Sequence, residues 1–144
     1  MMDKLSLMFG LVEPLRAAVA SGLPVYGTCA GLIMLSNTVL DSISGQESIG
    51  GLDIVVRRNA FGSQLDSFET DLDIPVLGET PMHAVFIRAP VVESVAPGVT
   101  VLAALGDGRV VAVEQGSLLG TSFHPEMTGD TRFHEYFLDK VRAA

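Results

Sequence analysis

The hydrophobic positions of the chain change period several times, and each change marks an element. From Asp3 to Ser21, Leu5, Met8, Leu11, Val12, Leu15, Ala18 and Val19 recur at helical spacing. Gly10 and Pro14 weaken that helix, and Gly22 stops it before Pro24. Val25 and Tyr26 form a short buried strand, and Ala30 to Thr38 a second, apolar helix. Asp41 to Gly51, rich in Ser and Gly, is a loop, and Leu52 to Val56 is a strand. Phe68 to Ile74 alternates, with Phe68, Thr70, Leu72 and Ile74 against Glu69, Asp71 and Asp73, so one side of this strand faces solvent. Met82 to Ile87 is a strand ending at Arg88, and Pro90 stops it. Three short strands follow, Val99 to Leu105, Val110 to Glu114 and Leu118 to Phe123, with turns at Gly106-Asp107-Gly108 and Gly116-Ser117. A last helix, capped by Thr128 or Asp130, runs to about Arg142 with Phe133, Tyr136, Phe137 and Val141 as its apolar face. Helix, buried strand, turn and helix in succession is α/β grammar.

Composition narrows the function classes. A chain of 144 residues, 48% hydrophobic, can bury a real core as one domain spanning 1–144, without repeats or low-complexity segments. The net charge of -8 and the lack of a basic patch argue against nucleic acid. No stretch approaches the roughly 20 apolar residues of a membrane span. Met1 to Val12 is apolar, but Asp3, Glu13 and Pro14 fit a signal peptide poorly and a helix better. The single cysteine fits a reducing cytoplasm. By count alone it reads as a small buried hydrophobe; its neighbours reverse that reading.

Cys29 sits in Gly27-Thr28-Cys29-Ala30-Gly31, between the buried strand and the apolar helix. Gly-x-Cys-x-Gly is the thiol counterpart of the serine nucleophile elbow, a tight turn that exposes the nucleophile at the top of a sheet. A Cβ at Gly27 or Gly31 is expected to crowd that turn, and the helix N-terminus to favour a thiolate. The backbone N–H of Ala30 is a candidate oxyanion donor. A cysteine nucleophile needs a base, and the base an orienter. His83, at the start of an apolar strand, reads as structural or surface, and His134 as a solvated helix position. His124 lies in His124-Pro125-Glu126, where an extended backbone points His and Glu to one side. The roles would be Cys29 as nucleophile, His124 as general base and then acid, and Glu126 as orienter.

Gly27-Thr28-Cys29-Ala30-Gly31 and His124-Pro125-Glu126 resemble the signature of class I (triad) glutamine amidotransferases. The stretches Arg58-Asn59-Ala60-Phe61-Gly62-Ser63-Gln64-Leu65-Asp66-Ser67-Phe68 and Val85-Phe86-Ile87-Arg88-Ala89-Pro90 are similar to the glutaminase subunits of pyridoxal 5′-phosphate synthase, the PdxT/SNO family. The resemblance covers essentially the whole chain. It implies an α/β, flavodoxin-like doubly wound and mostly parallel sheet. It implies glutamine hydrolysis through a γ-glutamyl thioester, without metal or organic cofactor, and ammonia delivery to a synthase subunit. Arg58, Ile87 and Arg88 match the family's glutamine contacts, and a guanidinium suits the α-carboxylate of free glutamine. Without the resemblance, Arg57 and Arg58 read as a solvated pair.

The departure from the family pattern is at the N-terminus. Family members open with a strand-helix-strand section and a Pro-Gly-Gly-Glu-Ser loop that supplies a second oxyanion donor. Met1-Met2-Asp3-Lys4 resembles the segment just after that loop, so roughly a third of a typical domain, its opening βαβ section, is expected to be missing. A misplaced start, a fragment and a real short form are the alternatives. The expected consequences are unpaired strand edges, poor stability alone and a loss of about 10²–10³ in rate. Two rival functions follow: a glutaminase serving another synthase, and an inactive or regulatory binding subunit.

Overall fold

The computed structural model describes residues 12–40, 49–57, 67–87 and 89–143. Helix α1 (Val12–Ala20) ends as its composition demands. Gly22 adopts φ 94°, Gly22 N–H reaches the Val19 carbonyl, and Leu23 N–H reaches back to Ala18. That pair of bonds satisfies the last carbonyls and needs a left-handed residue, which glycine supplies without strain. The chain then enters strand β1 (Val25–Thr28), turns at Cys29 into helix α2 (Ala30–Leu35), and leaves as β2 (Ser36–Leu40) and β3 (Leu52–Arg57). After β4 (Ser67–Leu72) and β5 (Met82–Ile87) come β6 (Val91–Val95), β7 (Thr100–Ala104), β8 (Val110–Gln115) and β9 (Leu118–Thr121). Helix α3 (Arg132–Ala143) closes the sequence of elements.

A seven-stranded sheet has the order β1-β9-β8-β6-β3-β2, with β7 paired to β8 beside that path. A second sheet is the antiparallel pair β4–β5. The α/β class expected from the sequence is present, but the large sheet is mixed where a mostly parallel one was expected. Only β1–β9 and β2–β3 pair in parallel, because β6 enters antiparallel to β3 and the β7-β8-β9 meander reverses direction at each short turn. Among the described residues β1 and β2 end that path, and β7 has β8 as its one partner.

Two details of the expected elements are corrected. The second helix stops at Leu35 and not at Thr38. Ser36 turns extended (φ -73°, ψ 143°), and its hydroxyl donates to the Ile33 carbonyl at 2.7 Å. Asn37, Thr38 and Val39 are poor helix formers, and Thr38 and Val39 pair with Val55 and Val56 of β3. Strand β6, just beyond Pro90, had no counterpart in the sequence reading; Val91 and Val92 are both buried.

Apolar side chains fill both faces of the large sheet. One cluster joins Leu32 and Leu35 of α2 to Leu52, Ile54, Val56 and Leu118. The other joins Phe86 of β5 and Leu119 of β9 to Phe123 and Phe133. Successive residues Leu118 and Leu119 therefore enter opposite clusters, as strand geometry requires. The β4–β5 pair lies over the second cluster with the predicted alternation: Leu72, Met82, Ala84 and Phe86 are buried, while Glu69, Asp71 and His83 face solvent.

Helix α3 is fixed at both ends. Asp130 accepts the Arg132 N–H at 3.0 Å, and the Arg132 guanidinium also reaches the carbonyls of Thr80 and Pro81. At the far end Lys140 pairs with Glu114 and donates to the Gly116 carbonyl at 2.7 Å, while the Tyr136 hydroxyl donates to Glu114. Phe133 is buried and Tyr136 and Phe137 pack beside it, whereas Val141, expected on the apolar face, is exposed.

Candidate active site

The parallel pairing of β1 with β9 sets Thr28 opposite Thr121, so both strands end at the same edge of the sheet. Cys29 follows one end, and its N–H donates to the Thr121 carbonyl at 2.8 Å. His124 follows the other end by three residues, and its N–H donates to the Val85 carbonyl of β5 at 2.9 Å. The Cys29 thiol lies 3.7 Å from the Ile87 carbonyl, on the same strand. Carbonyls two residues apart on a strand point the same way and stand about 7 Å apart. Strand β5 is thus a common rail holding the thiol and the histidine backbone side by side.

The turn at Cys29 has the geometry of an elbow. Cys29 adopts φ 53° and ψ -105°, and it is the one described non-glycine residue with positive φ. Such a conformation is strained for an L-residue and persists where surrounding contacts hold it. Gly27 makes the turn possible, since a Cβ there would stand 2.6 Å from the carbonyl carbon and oxygen of Gly31. Gly31 itself is a correction: a Cβ there meets nothing within 4 Å, so the crowding is one-sided.

On the other side of the site, His124 Nδ1 is 2.8 Å from Glu126 Oε2. The extended backbone expected here is corrected: Pro125 begins a short 3₁₀ turn, Pro125–Met127, and it is this turn that brings Glu126 back to the His124 ring. The His124 side chain is 21% exposed and that of Glu126 50%. Burial pushes the Glu126 carboxyl up, but the His124 hydrogen bond, its own backbone N–H and the charges of His124 and His134 together hold it below the ordinary carboxylate value. Glu126 therefore stays ionised as the pH falls into the acid range and keeps its hold on the imidazole.

The thiol departs from expectation. Burial pushes Cys29 above the ordinary thiol value, the Ala30 N–H pulls the other way, and the Glu126 charge pushes it further up. Desolvation outweighs the donors of a six-residue helix. With a raised value, the thiolate forms only above the ordinary thiol range. Alkylation of the resting chain by iodoacetamide should therefore still be accelerating with pH where an unperturbed thiol, of pKa about 8.5, has begun to level. A rate already flat at neutral pH would contradict this.

The structure thus brings Cys29, Ala30, Ile87, His124 and Glu126 together. Arg58 and Arg88 lie outside the described residues. Arg57, beside Arg58 in the pair read as solvated, is partly exposed and bonds Glu93 at 2.6 Å. His83 is a surface residue, as expected, with Glu69 at 2.7 Å and Asp71 at 2.9 Å on its two ring nitrogens. His134 is not simply solvated: its ring stands edge-on to Tyr26 at 5.9 Å, because α3 packs against β1 there. Sequence reasoning missed Tyr26 and Thr121, which lie beneath the elbow; nothing in their spacing marks them, since both read as ordinary strand residues. A thiol facing a carbonyl, with a carboxylate-held imidazole on the neighbouring strand end, is equipped for nucleophilic acyl transfer.

The sequence model of the SNO glutamine amidotransferase family matches residues 1–143. The chain belongs to that family. Among curated relatives it is 71% identical, over 97% of its own length and 71% of the relative's, to the pyridoxal 5′-phosphate synthase subunit PdxT of Leifsonia xyli. It is 59% identical to the subunit of the same name from Streptomyces avermitilis, over 98% of this chain and 70% of that one. A crystal structure of a glutamine amidotransferase superposes with TM-score 0.89 at 45% identity, covering 97% of this chain and 72% of that one. A more distant glutamine amidotransferase from Thermotoga maritima shares the fold, with TM-score 0.57 at 12% identity over 97% of this chain and 57% of that one. Among the described residues no helix is long and apolar enough to cross a membrane.

Proposed function

We propose that the chain hydrolyses L-glutamine to L-glutamate and ammonia, and passes the ammonia to a synthase subunit that builds pyridoxal 5′-phosphate. The observation that carries this reading is the 71% identity to a PdxT subunit, taken with this chain's own elbow cysteine and carboxylate-held histidine. The single cysteine supports a reducing setting for this reaction, the cytoplasm.

The reaction uses the residues in order. His124 takes the proton of Cys29 as the sulfur attacks the amide carbon of glutamine. A raised thiol value makes this transfer necessary, since the resting sulfur keeps its proton. The Ala30 N–H stabilises the oxyanion as it forms. His124 then returns the proton to the amide nitrogen, the carbon–nitrogen bond breaks, and ammonia leaves a γ-glutamyl thioester on Cys29. A water deprotonated by His124 attacks the thioester carbon, and glutamate departs as the sulfur regains a proton. Glu126 holds the imidazole orientation throughout. Arg58, Ile87 and Arg88 hold the substrate, the guanidinium groups meeting its α-carboxylate.

Glutamine labelled with ¹⁵N in its amide tests the partner assignment. Incubated with this chain, the synthase subunit, a pentose phosphate and a triose phosphate, it should place ¹⁵N in the ring of pyridoxal 5′-phosphate. Glutamate release with no label in that ring would reject the synthase as the acceptor of the ammonia.

A further inference from the structure

Beneath the catalytic turn lies a hydroxyl that packing does not explain. Tyr26, on β1 three residues before Cys29, buries its hydroxyl with no hydrogen-bond partner, alone among the described residues in doing so. Its ring is well used: it stands 5.7 Å from Phe133, 5.9 Å from His134 and 5.5 Å from Phe137. A phenylalanine would make the same ring contacts and spare the cost of a buried, unpaired hydroxyl.

The surroundings suggest what the hydroxyl is for. Thr121, on β9, presents the side chain that interacts with it. Thr121 already donates its own proton to the Phe123 carbonyl at 3.0 Å, and so holds the bend that delivers His124. Its oxygen still has lone pairs to accept a bond. Burial keeps the Tyr26 phenol protonated, so it remains a donor throughout the working pH range. Tyr26 lies on the strand that carries the nucleophile, and Thr121 on its parallel neighbour, the strand that leads to the base.

On the reading of the preceding subsection, we infer that Tyr26 is a positioning residue for glutamine hydrolysis: its buried hydroxyl donates to Thr121 of the neighbouring strand and steadies the segment bearing His124.

The test uses the full chain with its synthase subunit and follows glutamate release. Wild type and Cys29→Ala come first; if wild type shows no Cys29-dependent hydrolysis, the glutaminase reading and this inference fall together. Given an active wild type, Tyr26→Phe should melt at the same or a higher temperature. Its kcat should fall about fivefold, the worth of one neutral hydrogen bond, with KM for glutamine unchanged. Thr121→Val should lower kcat, Thr121→Ser should restore it, and Tyr26→Phe combined with Thr121→Val should be no slower than the worse single variant. An unchanged kcat in Tyr26→Phe, or losses that multiply in the double variant, would overturn the inference while leaving the glutaminase reading intact.

Discussion

Replacing Cys29 with alanine should abolish glutamine hydrolysis, with a fall in kcat of at least about 10⁴-fold. The reasoning is chemical and structural together. No other cysteine exists in the chain, so no second thiol can substitute. The sulfur lies 3.7 Å from the Ile87 carbonyl, at the end of the strand whose Val85 carbonyl holds the His124 backbone. Alanine also fits the turn, since it asks for no space that cysteine does not already fill. The left-handed backbone at this position is costly for alanine and cysteine alike. Melting temperature should therefore change little while activity disappears, and circular dichroism alongside the glutamate assay separates the two. Retained hydrolysis in Cys29→Ala would remove the thioester route altogether.

The second large effect concerns the base. His124→Ala should lower kcat about 10²–10⁴-fold, the usual worth of a positioned general base. Glu126→Gln should cost less. The Glu126 side chain is half exposed, and solvent screens the charge it offers to the imidazole. The amide of the variant can still hydrogen-bond Nδ1, but from an oxygen it must accept without a full negative charge. The two losses should also differ in their response to pH. His124→Ala leaves thiol deprotonation to solvent, so its residual rate should climb with pH through and beyond the ordinary thiol range, because the Cys29 value is raised. Glu126→Gln keeps a base and should keep a profile that levels at lower pH. Equal losses, or a flat profile for His124→Ala, would mean that His124 does not take the thiol proton.

How much of this is legible in the sequence depends on how local the signal is. The elbow was readable because it is written in five consecutive residues, with Gly27 required by a contact across its own turn. His124-Pro125-Glu126 was readable for the same reason. The β7-β8-β9 meander showed itself through glycine turns between apolar runs. Strand order was not readable, and it is strand order that makes the site: β5 lies far from Cys29 in sequence, yet its carbonyls meet both Cys29 and His124. The end of α2 is not legible, because Ser36 terminates it through a bond from its own hydroxyl, a choice made between competing local structures. The direction of the thiol shift is not legible, because a helix N-terminus is visible in sequence and desolvation is not. Tyr26 and Thr121 stayed hidden because a strand residue's role depends on what the facing strand supplies.

The measurement that tests the central claim most directly is to catch the intermediate. The chain, mixed with its synthase subunit and carbon-labelled glutamine, is quenched in acid within the first turnovers and digested. Label should lie on the peptide containing Cys29, bound through an ester of the thiol that hydroxylamine removes, and it should be absent from Cys29→Ala. Full glutamate release with label on no peptide, or with label on a peptide lacking Cys29, would contradict the account.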